Sequence, residues 1–157
     1  MKKFHEDAAT SDLVEPTRYR QLIGSLMYLV NTRPDICYAV NTLSQFMCEP
    51  RHIHLVAAKH ILRYVHGTIA LGLKFSSCVE LNLQGFSDSD WAGCVNDRKS
   101  TSGCCFSLGS AMISWCSSKQ SCVAQSIAEA EYVAACVASE ITCRLVWIAF
   151  GTYCDYV

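Results

Sequence analysis

The residues with the most chemistry to offer lie in "GFSDSDW", where Asp88 and Asp90 stand one residue apart, and in "SIAEAEYVAA", which carries Glu129 and Glu131. "LNLQGFSD" reads as a strand and "SIAEAEYVAACVASEITCRLVWIAF" as a long helix. A carboxylate at the strand's end and another in the helix's first turns can meet if the helix packs on the sheet. Such carboxylates hold Mg2+, which takes oxygen ligands and keeps waters open to a phosphate. Two such ions, roughly 3.5–4 Å apart, activate a water and stabilise the leaving oxygen in phosphodiester hydrolysis. Spacing leaves blander readings open. Asp-x-Asp at a strand end also makes a solvated turn, and a first-turn glutamate also serves the helix macrodipole.

The elements that must position these groups follow from periodicity. Residues 1–15 are polar and aperiodic, which predicts a loose lead-in. "YRQLIGSLMYLVN" aligns Leu22, Ile23, Leu26, Leu29 and Val30 on one helical stripe. "TRPDICYAVNTLSQFM" predicts a second helix with Pro34 in its first turn. "EPRHIHLVAAKHILRYVHG" predicts a third, with Leu55, Ala58, Leu62 and Val65 inward and Gly67 as its stop. The period then becomes two. Leu71, Leu73 and Phe75 alternate, as do Val79, Leu81 and Leu83, which predicts a hairpin around "SSC". "SGCCFSL" and "AMISWCS" flank Gly109-Ser110, a two-residue hairpin loop. In the last helix Ser126 and Glu129 have capping-box spacing, and Tyr132, Ala135, Cys136, Ser139, Cys143, Val146 and Trp147 can line one face. Three helices, about four strands and one long helix make an α+β fold with an antiparallel core.

Composition bounds the function. A formal charge of −1 over 157 residues leaves nucleic-acid binding to local basic patches or metal ions. The eleven cysteines are odd in number, never form a C-x2-C pair, and follow a start without an apolar signal core. They are read as reduced thiols in the cytoplasm or nucleus rather than as a disulfide scaffold or zinc site. His52 and His54, two apart, point to different faces of a helix. No apolar run approaches the ~18 residues of a membrane span, so no membrane partner is expected.

Five ordered blocks carry a resemblance: "YRQLIGSLMYLVNTRPDICYAVNTLSQFM", "AAKHILRYVHGT", "GFSDSDWAGCVNDRKSTSGCCFSLG", "ISWCSSKQ" and "SIAEAEYVAA". From about Glu15 to Phe150 the chain resembles the end of a copia-type LTR-retrotransposon polyprotein, where reverse transcriptase runs into its ribonuclease H domain. The resemblance implies a helical connection segment at 16–67, then a truncated ribonuclease H-like domain at 68–157, mainly an antiparallel sheet packed on a long helix. It implies Mg2+- or Mn2+-dependent hydrolysis of RNA in RNA–DNA hybrids, with reverse transcriptase as a further partner. Since that family is abundant in plants, it also implies a plant source.

Residue by residue, the resemblance places the first metal-binding aspartate on Asp88, with Asp90 the second candidate, and the helix glutamate on Glu131 rather than Glu129. Arg98, Lys99, Ser100 and Thr101 match the family's basic turn, either an exposed hairpin connection or a contact for the hybrid's phosphates. Trp91 and Trp115 are assigned to packing. Lys119 and Gln120 read as a loop leading to the helix, and Lys59 and Arg63 as a solvated face.

The chain departs from the family near its end. "YCD" offers Asp155 as the third aspartate, and the family's fourth acidic residue has no counterpart. If the helix runs from about 128 to 149, its end lies roughly 27 Å past Glu131. Five extended residues return at most about 18 Å. Asp155 then reaches the site only if the helix stops near Cys143. The expectation is weak or lost cleavage, with a sheet edge and apolar helix faces left uncovered. The alternative is a non-catalytic module that grips nucleic acid or protein.

Overall fold

Pro16 has no N–H to leave unpaired, and it opens α1 (Pro16–Val30), whose buried residues are Tyr19, Ile23 and Leu26. The structure, a computed structural model, describes residues 11–77, 80, 82–94 and 97–150. They fall into two compact units that part between Phe75 and Ser76.

In the first unit a 3-10 turn (Pro34–Ile36) leads into α2 (Cys37–Ser44), and α3 (His52–Gly67) follows. Tyr19, Ile23, Leu26, Ile36, Val40, Leu43, Ala58 and Ile61 form its core. The Tyr19 hydroxyl donates to the Leu43 carbonyl at 2.9 Å, and burial pushes its pKa up to about 12. Two expectations need correction. Ile61, not Leu62, faces inward on α3, and Leu62 is 41% exposed. The lead-in is not loose throughout: Leu13 bridges Arg51, and the Val14 and His52 N–H groups donate to the Pro50 and Asp12 carbonyls at 3.0 and 2.8 Å.

One clamp ties this unit's turns together. The Arg33 guanidinium holds the Asp35 carboxylate bidentately at 2.9 and 2.7 Å and also donates to the Thr68 carbonyl and hydroxyl at 3.1 and 2.7 Å. The Tyr64 hydroxyl adds a bond to Asp35 at 2.8 Å. Arg33, then Tyr64, hold the Asp35 carboxyl down to about 2.

The second unit is a three-stranded antiparallel sheet, β1 (Leu83–Ser89), β2 (Thr101–Leu108) and β3 (Ala111–Lys119) in that order, with α4 (Ile127–Phe150) packed on β1 and β2. Gly109, at φ 60°, makes the expected tight turn between β2 and β3. Phe106 pairs with Ser114 and Ser107 with Met112, so β3 carries a bulge at Ile113. Alternate β2 residues Ser102, Cys104 and Phe106 are buried. Gly85, opposite Phe106, leaves room for its ring, which a Cβ there would meet at 2.8 Å.

The strand expected over Leu71–Phe75 is not formed, since those residues have no ladder. Val79 and Leu81 of its expected partner lie outside the described residues. The face that Tyr132 to Trp147 are expected to line on α4 is not the one buried. Tyr132 and Trp147 are 72% and 74% exposed, while Ala130 and Ala134 are buried. That helix is apolar nearly all round, so its period does not single out a face.

Candidate functional site

Asp88 is the penultimate residue of β1, exposed and opposite Gly103 in the register. Its neighbour Ser89 pairs with Ser102, and the Gln120 amide donates to Ser102 Oγ at 2.8 Å and to the Ala130 carbonyl at 2.9 Å. Ala130 directly precedes Glu131 on α4. This chain of contacts brings the turn that carries Glu131 to the sheet end that carries Asp88, while the Asp88 side chain, paired with Gly103, alternates to the face opposite Ser89 and Ser102. Both carboxylates are exposed. They offer hard oxygen donors open to water, which suits Mg2+ or Mn2+. Among the described residues no three His, Cys, Asp or Glu side chains cluster tightly enough to hold a metal. Asp155 lies outside the described residues, and α4 does not stop at Cys143 but runs to Phe150.

The start of α4 is fixed locally. The Glu129 N–H donates to Ser126 Oγ at 3.1 Å, while the Glu129 carboxylate accepts the Gln125 N–H at 2.7 Å. Glu129 is thereby used as a cap.

Asp90 is likewise committed to structure. Its carboxylate accepts the Thr101 N–H, its own N–H donates to the Thr101 carbonyl at 3.2 Å, and a Cβ built on Gly93 would overlap the carboxylate. Asp90 therefore organises the turn after β1.

The basic turn divides by role. Arg98 is exposed, in the left-handed region at φ 56°, and Lys99 is half-buried. Ser100 is fully buried. Its Oγ accepts the Ala92 N–H at 3.1 Å and its carbonyl the Gln120 N–H at 2.8 Å, so its side chain has no surface for a phosphate. Thr101 opens β2 and is bound to Asp90 through its backbone. Trp91 is corrected from a packed residue to a tether: it is 49% exposed, and its indole N–H donates to the Ala124 carbonyl at 3.1 Å.

Two residues read as loop have larger parts. Lys119 ends β3 and reaches Asp97 at 2.9 Å and the Cys94 sulfur at 3.0 Å. The Cys94 thiol and then Lys119 hold the Asp97 carboxyl down to about 2. Gln120 is buried and joins β2 and α4, and its Oε1 has no partner. Nothing in "SSKQ" marks a glutamine as such a hub. In the first unit an apolar cleft of about 480 Å³ runs between α2 and α3, past Tyr38, Leu43, Phe46, Val56 and Ile61; its lining carries no carboxylate.

A helical unit followed by a small antiparallel sheet with one long helix, acidic at one end, defines the class as α+β. Against known proteins, no family model matches the chain, and no solved structure matches it. Sequence relatives do. The chain is 52% identical over 120 residues to the retrovirus-related Pol polyprotein from transposon RE1 of Arabidopsis thaliana, covering 76% of this chain and 8% of that protein. It is 45% identical over 141 residues to the uncharacterized mitochondrial protein AtMg00810 of the same plant, covering 89% of this chain and 59% of the relative. It is also 45% identical over 135 residues to the secreted RxLR effector protein 161 of Plasmopara viticola, covering 85% and 93%. The chain belongs to the copia-type retrotransposon Pol polyprotein family, and it spans 59% of the mitochondrial relative and 8% of the RE1 polyprotein.

Among the described residues no helix is long and apolar enough to cross a membrane.

Proposed function

We propose that the second unit is a ribonuclease H-like domain that slowly hydrolyses RNA in RNA–DNA hybrids, and that the helical unit before it serves as the connection to reverse transcriptase. The observation that supports this reading is the tie from Ser102, whose partner Ser89 follows Asp88, through Gln120 to Ala130, which precedes Glu131. Asp88 and Glu131 would hold Mg2+ or Mn2+, with Asp155 the third ligand implied by family resemblance. When bound, the metal supplies the charge that activates water and stabilises the leaving oxygen. Arg98 and Lys99, at the turn beyond β1, place cations where the hybrid's phosphates would pass and so fix its register. Gln120 holds the Glu131 turn against β2.

Mn2+ titration of the isotope-labelled chain tests the ligand assignment without turnover. Paramagnetic broadening is expected to begin together at the Asp88 and Glu131 amides and to be lost in Asp88→Asn. Broadening elsewhere, or none at millimolar Mn2+, would overturn it.

On a non-catalytic reading the chain grips the hybrid by its phosphates alone, through Arg98 and Lys99. On that reading the chain binds the hybrid as well after Asp88→Asn as before, and binding weakens with salt as phosphate contacts are lost.

A further inference from the structure

Cys104 on β2 stands directly opposite Cys116 on β3, and their sulfurs are 3.1 Å apart. Directly opposed residues of an antiparallel pair have Cα atoms about 4.5 or 5.5 Å apart. Both separations fall within the roughly 4.4–6.8 Å that a disulfide spans. Bridging these two cysteines thus asks for rotation of two side chains and no movement of the strands. Cys105 follows Cys104 but points to the other face, opposite Phe86 on one side and Trp115 on the other.

We propose that Cys104 and Cys116 are an oxidation site, closing into a cross-strand disulfide when the protein meets a low-molecular-weight disulfide. Cys116 is the half-buried member and meets the oxidant first, whereas Cys104 is only 6% exposed. The Cys116 thiolate attacks one sulfur of the oxidant, RSSR, and releases RS−. The Cys104 thiol then loses its proton to solvent, attacks the Cys116 sulfur and expels the second RS−. Two protein thiols are oxidised and RSSR is reduced to two RSH, the thiolates taking up the two released protons. Burial pushes the Cys104 thiol up to about 12, which makes it a poor first nucleophile, so its closure onto Cys116 is carried by the 3.1 Å separation of the two sulfurs and not by its acidity. The bridge would pin β2 to β3 beneath the strand ends that Gln120 and Ser102 tie to α4.

The test is oxidation of the reduced full-length chain with oxidised glutathione, followed by alkylation and trypsin. Cleavage after Lys99 and Lys119 releases residues 100–119 with Cys104, Cys105 and Cys116. The expected peptide is lighter by two hydrogens and carries one alkyl group, on Cys105. In Cys105→Ala it closes with no alkyl group, and in Cys104→Ala glutathione stays on Cys116. Carrying out the same oxidation in urea should slow closure and scatter it over other cysteines, which separates pairing set by the strands from pairing set by sequence distance. Full alkylation of all three cysteines in folded protein, a stable glutathione adduct on wild-type Cys116, or equal closure through Cys105 in Cys104→Ala would each overturn the proposal.

Discussion

Gln120 satisfies Ser102 on β2 and the Ala130 carbonyl on α4 with one buried amide group, while its backbone N–H holds Ser100. Truncating it strands two buried polar groups. Gln120→Ala is expected to lower stability by about 1–3 kcal/mol, read as a lower urea midpoint at unchanged slope. Gly93 is under a different constraint. A methyl group there evicts the Asp90 carboxylate from the Thr101 N–H, so Gly93→Ala should raise hydrogen exchange at Thr101 while α1–α3 keep their protection. Residue types revealed the candidate acids, because Asp88 and Glu131 sit at a strand end and in a helix's first turns. They could not separate Asp88 from Asp90. Only the fold shows that the Asp90 carboxylate is committed to a turn, although both carboxylates are exposed. Ser100 was equally opaque, since a serine in a basic turn reads as surface until its hydroxyl is seen capping Ala92.

Among the elements, the helices of the first unit were legible because each buries one stripe, and the Gly109 hairpin because its turn chemistry is specific. Two readings failed for physical reasons. Leu71, Leu73 and Phe75 alternate like a strand, but alternation without a hydrogen-bonding partner makes none. α4 has apolar residues all round, so its orientation comes from the Ser126 cap and the Gln120 bond at its start rather than from its period. The Arg33–Asp35 clamp, invisible to periodicity, ties the turn before α2 to the end of α3. Its pH dependence has a definite sign. A carboxyl held at about 2 against an ordinary value near 3.9 gives its full stabilisation above about pH 4 and loses it as pH falls through about 2. Acid titration followed by circular dichroism should therefore show helix loss in that window, and Asp35→Asn should remove this component and lower stability at neutral pH.

At the scale of the whole molecule, a charge of −1 gives the chain no general attraction for nucleic acid, so a hybrid must be held locally. Replacing Arg98 and Lys99 together by alanine should weaken hybrid binding across sequences and flatten its salt dependence, by roughly 0.7–0.9 in log–log slope per lost phosphate contact. The first unit's core is its own. Ile23→Ala, which empties a fully buried site, should cost about 2–5 kcal/mol there and leave amide protection in β2 and β3 unchanged. The central claim, that the acidic end of the sheet is a nuclease site, is tested most directly by incubating the purified chain with a labelled RNA–DNA hybrid and Mg2+ or Mn2+. The account predicts slow cleavage of the RNA strand that disappears with chelator and in both Asp88→Asn and Glu131→Gln. Folded wild-type protein that leaves the hybrid intact, or variants that cleave as fast as wild type, would contradict it.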